Sequence, residues 1–202
     1  MPKIQAATVA EHRARQRRAI LDAARAILAE GGSESPSLAA VAARTGLARS
    51  SIYQYFKSSA DLLDAVIVDM FPRWSAYVAR RMRRATTPGD QVFAYVAANL
   101  HLVAKGEHAI VRGLATTAPV EILAERSREL HNQLRVPLLE ALAGHGTPDP
   151  VNMAELIQAI VFRASRMIED GMSETKACTL ARELLEPYLR QSITTAPERR
   201  PT

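Results

Sequence analysis

Arg49, Ser50 and Ser51 stand together between two apolar residues, Leu47 and Ile52. A guanidinium can grip guanine O6 and N7 with two hydrogen bonds at once, which discriminates that base by about 1–3 kcal/mol. The two serine hydroxyls suit several base edges and specify little. Tyr53 and Tyr55 add phenolic hydroxyls on rigid rings, suited to phosphate oxygens or thymine methyls, and Lys57 adds a cation nearby. The chemistry on offer is recognition of duplex DNA. No His-Glu-x-x-His, Cys-x-x-Cys, Gly-x-Ser-x-Gly or phosphate-binding glycine loop occurs. His101 and His108 are seven apart, but Gly106 interrupts the helix that would align them. Glu169-Asp170 reads as a solvated carboxylate pair. No catalytic residue, metal ligand or cofactor is assigned.

Those side chains need a short helix held in place by another. Leu38, Val41 and Ala42 fall at i, i+3 and i+4, so one face of a preceding helix is apolar. Ser37 is a suitable N-cap for it, and its hydroxyl beside free backbone N–H groups makes an anion site. Thr45-Gly46 ends it, since glycine takes the left-handed conformation at little cost. Leu47 to Tyr53 leaves room for about two turns, with Leu47 and Ile52 turned inward. Two short helices around a tight glycine turn form a helix-turn-helix, whose second helix can enter a major groove. Arg44 suits a phosphate contact or plain surface equally. Upstream, Ile20, Ala24, Ile27 and Leu28 form a buried stripe. The capping box Thr8 to Glu11 predicts a first helix from Val9 to Glu30 behind a mobile arm of residues 1–8. Arg13 and Arg17 are four apart on it and can face one run of phosphates.

Ala42, Gly46, Ser51-Ile52-Tyr53, Phe56, Ser58 and Leu62-Leu63 together resemble the DNA-binding signature of the tetracycline-repressor (TetR) family. The resemblance covers residues 13–66. It implies an all-α protein: an N-terminal three-helix DNA-binding domain, then a helical bundle for ligand binding and dimerisation. The expected boundaries are 1–57, 58–191 and a polar tail at 192–202. The implied DNA contacts are Arg13, Arg17, Ser37, Arg44, Arg49, Ser50, Ser51, Tyr53, Tyr55 and Lys57. Two positions depart from the family pattern. Ala48 stands where a Ser or Thr usually caps the recognition helix, and Ser59 stands where a lysine usually meets phosphate. Lys57 is expected to replace that charge.

Charge supports the placement. Residues 1–84 carry 14 Lys/Arg against 7 Asp/Glu, a net +7, whereas residues 85–202 carry 12 against 14, a net −2. The helix-turn-helix thus lies in the basic part, as phosphate binding requires. Apolar residues make up 48% of the 202, enough to build a core and to exclude a disordered chain. No apolar run approaches the ~20 residues that span a bilayer. The lone Cys178 excludes an internal disulfide, so a cytoplasmic location is expected.

The remainder is read as helices. A fourth runs from Ser58, with Asp61 completing a capping box, to about Thr86, kinked or broken at Pro72. The arginines Arg80, Arg81, Arg83 and Arg84 close it as a solvated end. Asp90 is expected to cap a fifth helix to Lys105, and residues 107–117 form a sixth. A seventh follows Pro119, from Val120 to Ala143. Asp149 and Pro150 open an eighth, ending at Gly171, and Ser173 caps a ninth. The eighth is apolar on more than one face.

From the resemblance, the eighth and ninth helices of two subunits form the homodimer interface. Its expected residues are Ile157, Val161, Ala164, Ile168, Ala177, Leu180, Ala181, Leu184 and Tyr188. A dimer also suits a palindromic operator, because one helix-turn-helix reads few base pairs. The resemblance further implies an unknown small-molecule effector that releases a repressor from DNA. Its expected lining is Trp74, Phe93, Val96, Leu100, His101, Arg112, Phe162 and Arg166. The alternatives are a non-specific DNA-organising protein, a helical enzyme and a ligand-free interaction module.

Overall fold

The computed structural model describes residues 3–30, 36–117 and 120–190; the side chains of 3–7, 112, 115–117, 120–127, 130 and 131 lie outside that description. The described residues form α1 (Lys3–Ala29), α2 (Leu38–Thr45), α3 (Arg49–Tyr53), α4 (Ser59–Arg83), α5 (Pro88–Ala104), α6 (Glu107–Thr117), α7 (Val120–Gly144), α8 (Pro150–Glu169) and α9 (Glu174–Leu189). None of these helices is long and apolar enough to cross a membrane. The expected tail, 192–202, lies outside the described residues.

The caps follow the local chemistry. Ser37 Oγ accepts from the Ala40 N–H at 3.1 Å, and Gly46 closes α2 at φ +70°. Ser58 Oγ accepts from Asp61 N–H, and Asp61 returns an oxygen to the Lys57 N–H at 2.9 Å. Asp149 and Ser173 cap α8 and α9 as expected.

Four boundaries differ from the sequence expectation. α1 begins at Lys3, so Thr8 to Glu11 lie within a helix and residues 3–8 are no arm. The physical reason is that this stretch holds neither Pro nor Gly and includes Ala6 and Ala7, strong helix formers. α3 starts at Arg49, two residues later than expected, with Ala48 in extended conformation as an N-cap that offers no side-chain acceptor. The cap of α5 is Thr87 rather than Asp90: Pro88 has the fixed φ of a first helical residue, so the helix starts there and Thr87 Oγ1 accepts from Asp90 N–H at 3.1 Å. α4 ends at Arg83 and continues through Pro72 without a break. Pro72 and Val68 are exposed, so the carbonyl deprived of its partner can turn to water.

The chain divides into two compact units, Met1–Phe71 with Gly106–Ser127, and Pro72–Lys105 with Arg128–Thr202. In this division α6 groups with the N-terminal helices. The first unit buries Ile20, Leu21, Val41, Ile52, Leu62, Val66 and Ile67. α6 packs on α1 there, and α2 packs on both α1 and α3. In the second unit α5 packs on α8 and α9, around Val92, Val96, Leu100 and Ile157.

Candidate nucleic-acid interface

The first unit presents a polar, cationic face around α3. Ile52 is fully buried and Phe56 nearly so, which fixes the short helix against the core. Arg49, Ser50 and Lys57 are left exposed, Ser51 is half-buried, and Tyr53 is 59% exposed. Among the described residues, Arg49 and Lys57 form no ion pair, so both charges are available to phosphate or bases. Ser37 is exposed at the start of α2. Its oxygen already accepts the cap hydrogen bond, but its hydroxyl hydrogen is still available to donate.

α1 lies alongside this face and is tied to it. The Tyr55 hydroxyl donates to Gln16 Oε1 at 2.6 Å. Arg13 lies over the Tyr55 ring, 5.5 Å from its centroid, and Arg17 lies over Phe56 at 5.8 Å. Each arginine stays exposed while its guanidinium is oriented by a ring. Tyr55 is therefore half-buried, with its hydroxyl engaged inside the protein. Its hydroxyl holds α1 through Gln16, and its ring lies under Arg13. Gln16 escaped the sequence reading, since nothing local marks a contact across 39 positions. Arg44 is also engaged: its guanidinium meets Glu30 at 2.6 and 3.0 Å, which raises its pKa, chiefly through the hydrogen bond. Of the two readings of Arg44, the structure favours a surface ion pair, and a phosphate would have to compete with Glu30.

This arrangement is a basic helix-turn-helix, and the sequence comparison agrees with it. Residues 20–66 match the model of bacterial regulatory proteins, tetR family. Residues 20–66 thus carry the DNA-binding domain of that family. The chain is 24% identical over 176 residues to the fatty acid metabolism regulator protein of Bacillus subtilis (strain 168), covering 87% of this chain and 80% of that one. Among solved structures it resembles a tetR-family regulator from Agrobacterium tumefaciens (TM-score 0.70, 23% identity, 85% and 96% of the two chains). It also resembles the fatty acid degradation regulator FadR of Bacillus halodurans (0.68, 20%, 84% and 94%). A third is FadR from Bacillus subtilis in complex with stearoyl-CoA (0.66, 19%, 86% and 97%). At these identities the structural likeness establishes the fold. The matched segment is the one with which regulatory proteins of that family bind DNA.

The second unit carries the residues expected at the effector site, and it does not bring all of them together. Trp74, Phe93, Val96 and Leu100 are buried. The Trp74 indole N–H donates to Asn99 Oδ1 at 3.0 Å, and the Asn99 amide donates to the Tyr95 carbonyl at 2.8 Å. His101 is half-buried, 2.9 Å from Glu174 and stacked on Tyr77. Phe93 is covered by the Arg182 guanidinium, 3.8 Å from its centroid. Phe162, in contrast, is 65% exposed, and Arg166 is exposed and bonded to Glu169 at 3.1 Å. These two lie on the outside of α8, so they do not join the buried set. The side chain of Arg112 lies outside the described residues. Cys178 is half-buried, and burial, reinforced by the Glu174 charge, pushes its thiol pKa up.

Between α8 and α9 runs an apolar groove of about 620 Å³. Ile157, Ala164, Ala177, Leu180, Ala181, Leu184 and Tyr188 line it, as do Met153, Leu156, Ile160 and Met167. Leu156 and Leu184 are 61% and 65% exposed. Val161 and Ile168 do not line it, because neighbouring helical positions turn away by about 100°. Arg163 is the single cation on its walls.

Proposed function

We propose that this regulator binds a palindromic operator as a homodimer and is released from it by a small acidic, lipid-like effector. The observation that carries the DNA half is the exposed, unpaired Arg49 and Lys57 flanking Tyr53 on α3, beside the ring-oriented Arg13 and Arg17. Arg49 reads a base, with Ser50 and Ser51 beside it. Lys57, Arg13, Arg17, Tyr53 and Ser37 hold the backbone. The α8–α9 groove supports the dimer: an apolar surface of this size, open in a single chain, is what a second copy covers. A two-fold axis then sets two recognition helices ~34–36 Å apart, or a multiple of it.

The effector assignment rests on relatives. One is a fatty acid metabolism regulator and another was solved with stearoyl-CoA. A long-chain acyl-CoA is accordingly the first effector to test. Trp74, Val96 and Leu100, expected at the effector site, are buried and apolar. Release requires that the ligand bind the DNA-free arrangement better than the DNA-bound one.

A selection of duplexes from random sequence with the full chain tests the reading. The expected result is one enriched palindrome with two equal half-sites. Stearoyl-CoA added to the selected complex should then dissociate it. Retention of all sequences alike would instead identify a non-specific DNA-organising protein.

A further inference from the structure

The segment Gly106–Ser127 belongs by its packing to the first unit, although the chain on both sides of it belongs to the second. α6 is thus an excursion out of one unit into the other, and two features fasten it there. At its first turn, Glu107 receives Arg25 of α1: Arg25 Nη2 lies 2.5 and 2.7 Å from the two carboxylate oxygens. Two turns on, Gly113 meets Leu28 so closely that an added Cβ would stand 2.9 Å from Leu28 Cδ2 and 3.0 Å from the Leu28 carbonyl. Only glycine allows that approach.

Arg25 has a second carboxylate beside it. Its Nη1 lies 3.7 Å from Asp69 Oδ2 on α4, and Asp69 is also held by Arg18 at 3.0 and 3.1 Å. That Nη1 is buried and makes no hydrogen bond. A buried charged donor left over is costly, and its position between two acids gives it an alternative partner. The Arg25 and Glu107 side chains are only 12% and 22% exposed, so solvent screens this pair far less than the exposed Arg44–Glu30 pair.

We propose that Arg25 is the positioning residue that couples segment 106–127 to the operator-binding helices. Paired with Glu107, it docks α6 on α1. When the segment is displaced, the guanidinium moves to Asp69 and tightens α1 on α4, the helix whose capped start follows Lys57. This rests on the operator-binding reading above. By linkage the coupling is reciprocal: if α6 docking favours operator binding, operator binding must favour α6 docking by the same factor. The proposal can therefore be tested without an effector.

The test is hydrogen exchange of the 107–117 amides in the full chain, with and without the selected operator duplex. In the unaltered protein, operator should slow exchange there by about five-fold or more. Glu107→Gln, nearly isosteric, should abolish the slowing, and Arg25→Lys should keep part of it by keeping the charge. Gly113→Ala, which wedges α6 from α1 without touching any charge, should abolish it too. A residue with a merely structural role would alter exchange equally with and without DNA. Exchange in α6 that ignores the operator, or that responds unchanged in Glu107→Gln, overturns the coupling while leaving operator binding intact. Failure to enrich any duplex overturns the operator reading itself, and the coupling with it.

Discussion

The Tyr55 hydroxyl donates a 2.6 Å hydrogen bond to the Gln16 side-chain oxygen, joining α1 to the turn that follows α3. A residue expected to contact DNA is thereby engaged within the protein, with Arg13 held over its ring. Tyr55→Phe should lower stability by about 0.5–1.5 kcal/mol, the worth of one such bond. Operator affinity should fall while base preference stays the same. In a double-mutant cycle with Gln16→Leu the two losses should overlap; full additivity would show that the bond carries no coupling.

Arg49 and Lys57 should separate in kind. Arg49→Ala should relax preference at one base pair in each half-site, by about 1–3 kcal/mol. Lys57→Ala should weaken all sequences alike and flatten the salt dependence. Titrations of matched and mismatched duplexes at several salt concentrations read both effects. A uniform loss for Arg49→Ala would remove it from base recognition.

Leu184 projects from α9 into the apolar groove and is 65% exposed in the single chain. Leu184→Glu should convert the dimer to monomer in sedimentation while the helix content is retained. Palindrome affinity should fall with it. A variant that sediments as a dimer would place the interface elsewhere.

Trp74 is the one tryptophan, so its fluorescence reports on its surroundings. Asn99, 4% exposed, accepts its indole N–H. Asn99→Leu strands that donor and should cost about 1–3 kcal/mol in denaturant unfolding followed by tryptophan emission. No loss of stability would mean that the indole finds water.

Burial pushes the Tyr95 hydroxyl up to about 12, against an opposing contact from Gln158. The folded value then exceeds the unfolded value of about 10. The neutral tyrosine therefore stabilises the fold fully below pH 10, and this contribution is lost between about pH 10 and pH 12. The size is roughly 2–3 kcal/mol. Unfolding curves from pH 8 to 12 should fall less steeply for Tyr95→Phe than for the unaltered protein; parallel curves would exclude Tyr95 as the source.

The helix-turn-helix was legible from residues 37–63 because its signals are local. Ser37 and Ser58 cap the helices that follow them, Gly46 turns where a left-handed residue is needed, and the alternation of Leu38, Val41 and Ile52 marks the inner face. The start of α1 was not legible, since the capping box at Thr8 is outweighed by helix formers before it.

The sequence by itself determined the all-helical fold, the helix-turn-helix and the exposure of Arg49 and Ser50, since caps, turns and amphipathic periodicity act over one or two helical turns. Tertiary structure alone decided which charges are free. Arg44 is held by Glu30, Tyr55 by Gln16, and Arg25 by Glu107 across 82 positions. It also decided that Phe162 faces outward while Trp74 is buried, although both are aromatic residues on helices. A charge or an aromatic ring has the same local signature whether or not a partner meets it. Only the packing of distant segments brings that partner within hydrogen-bond reach.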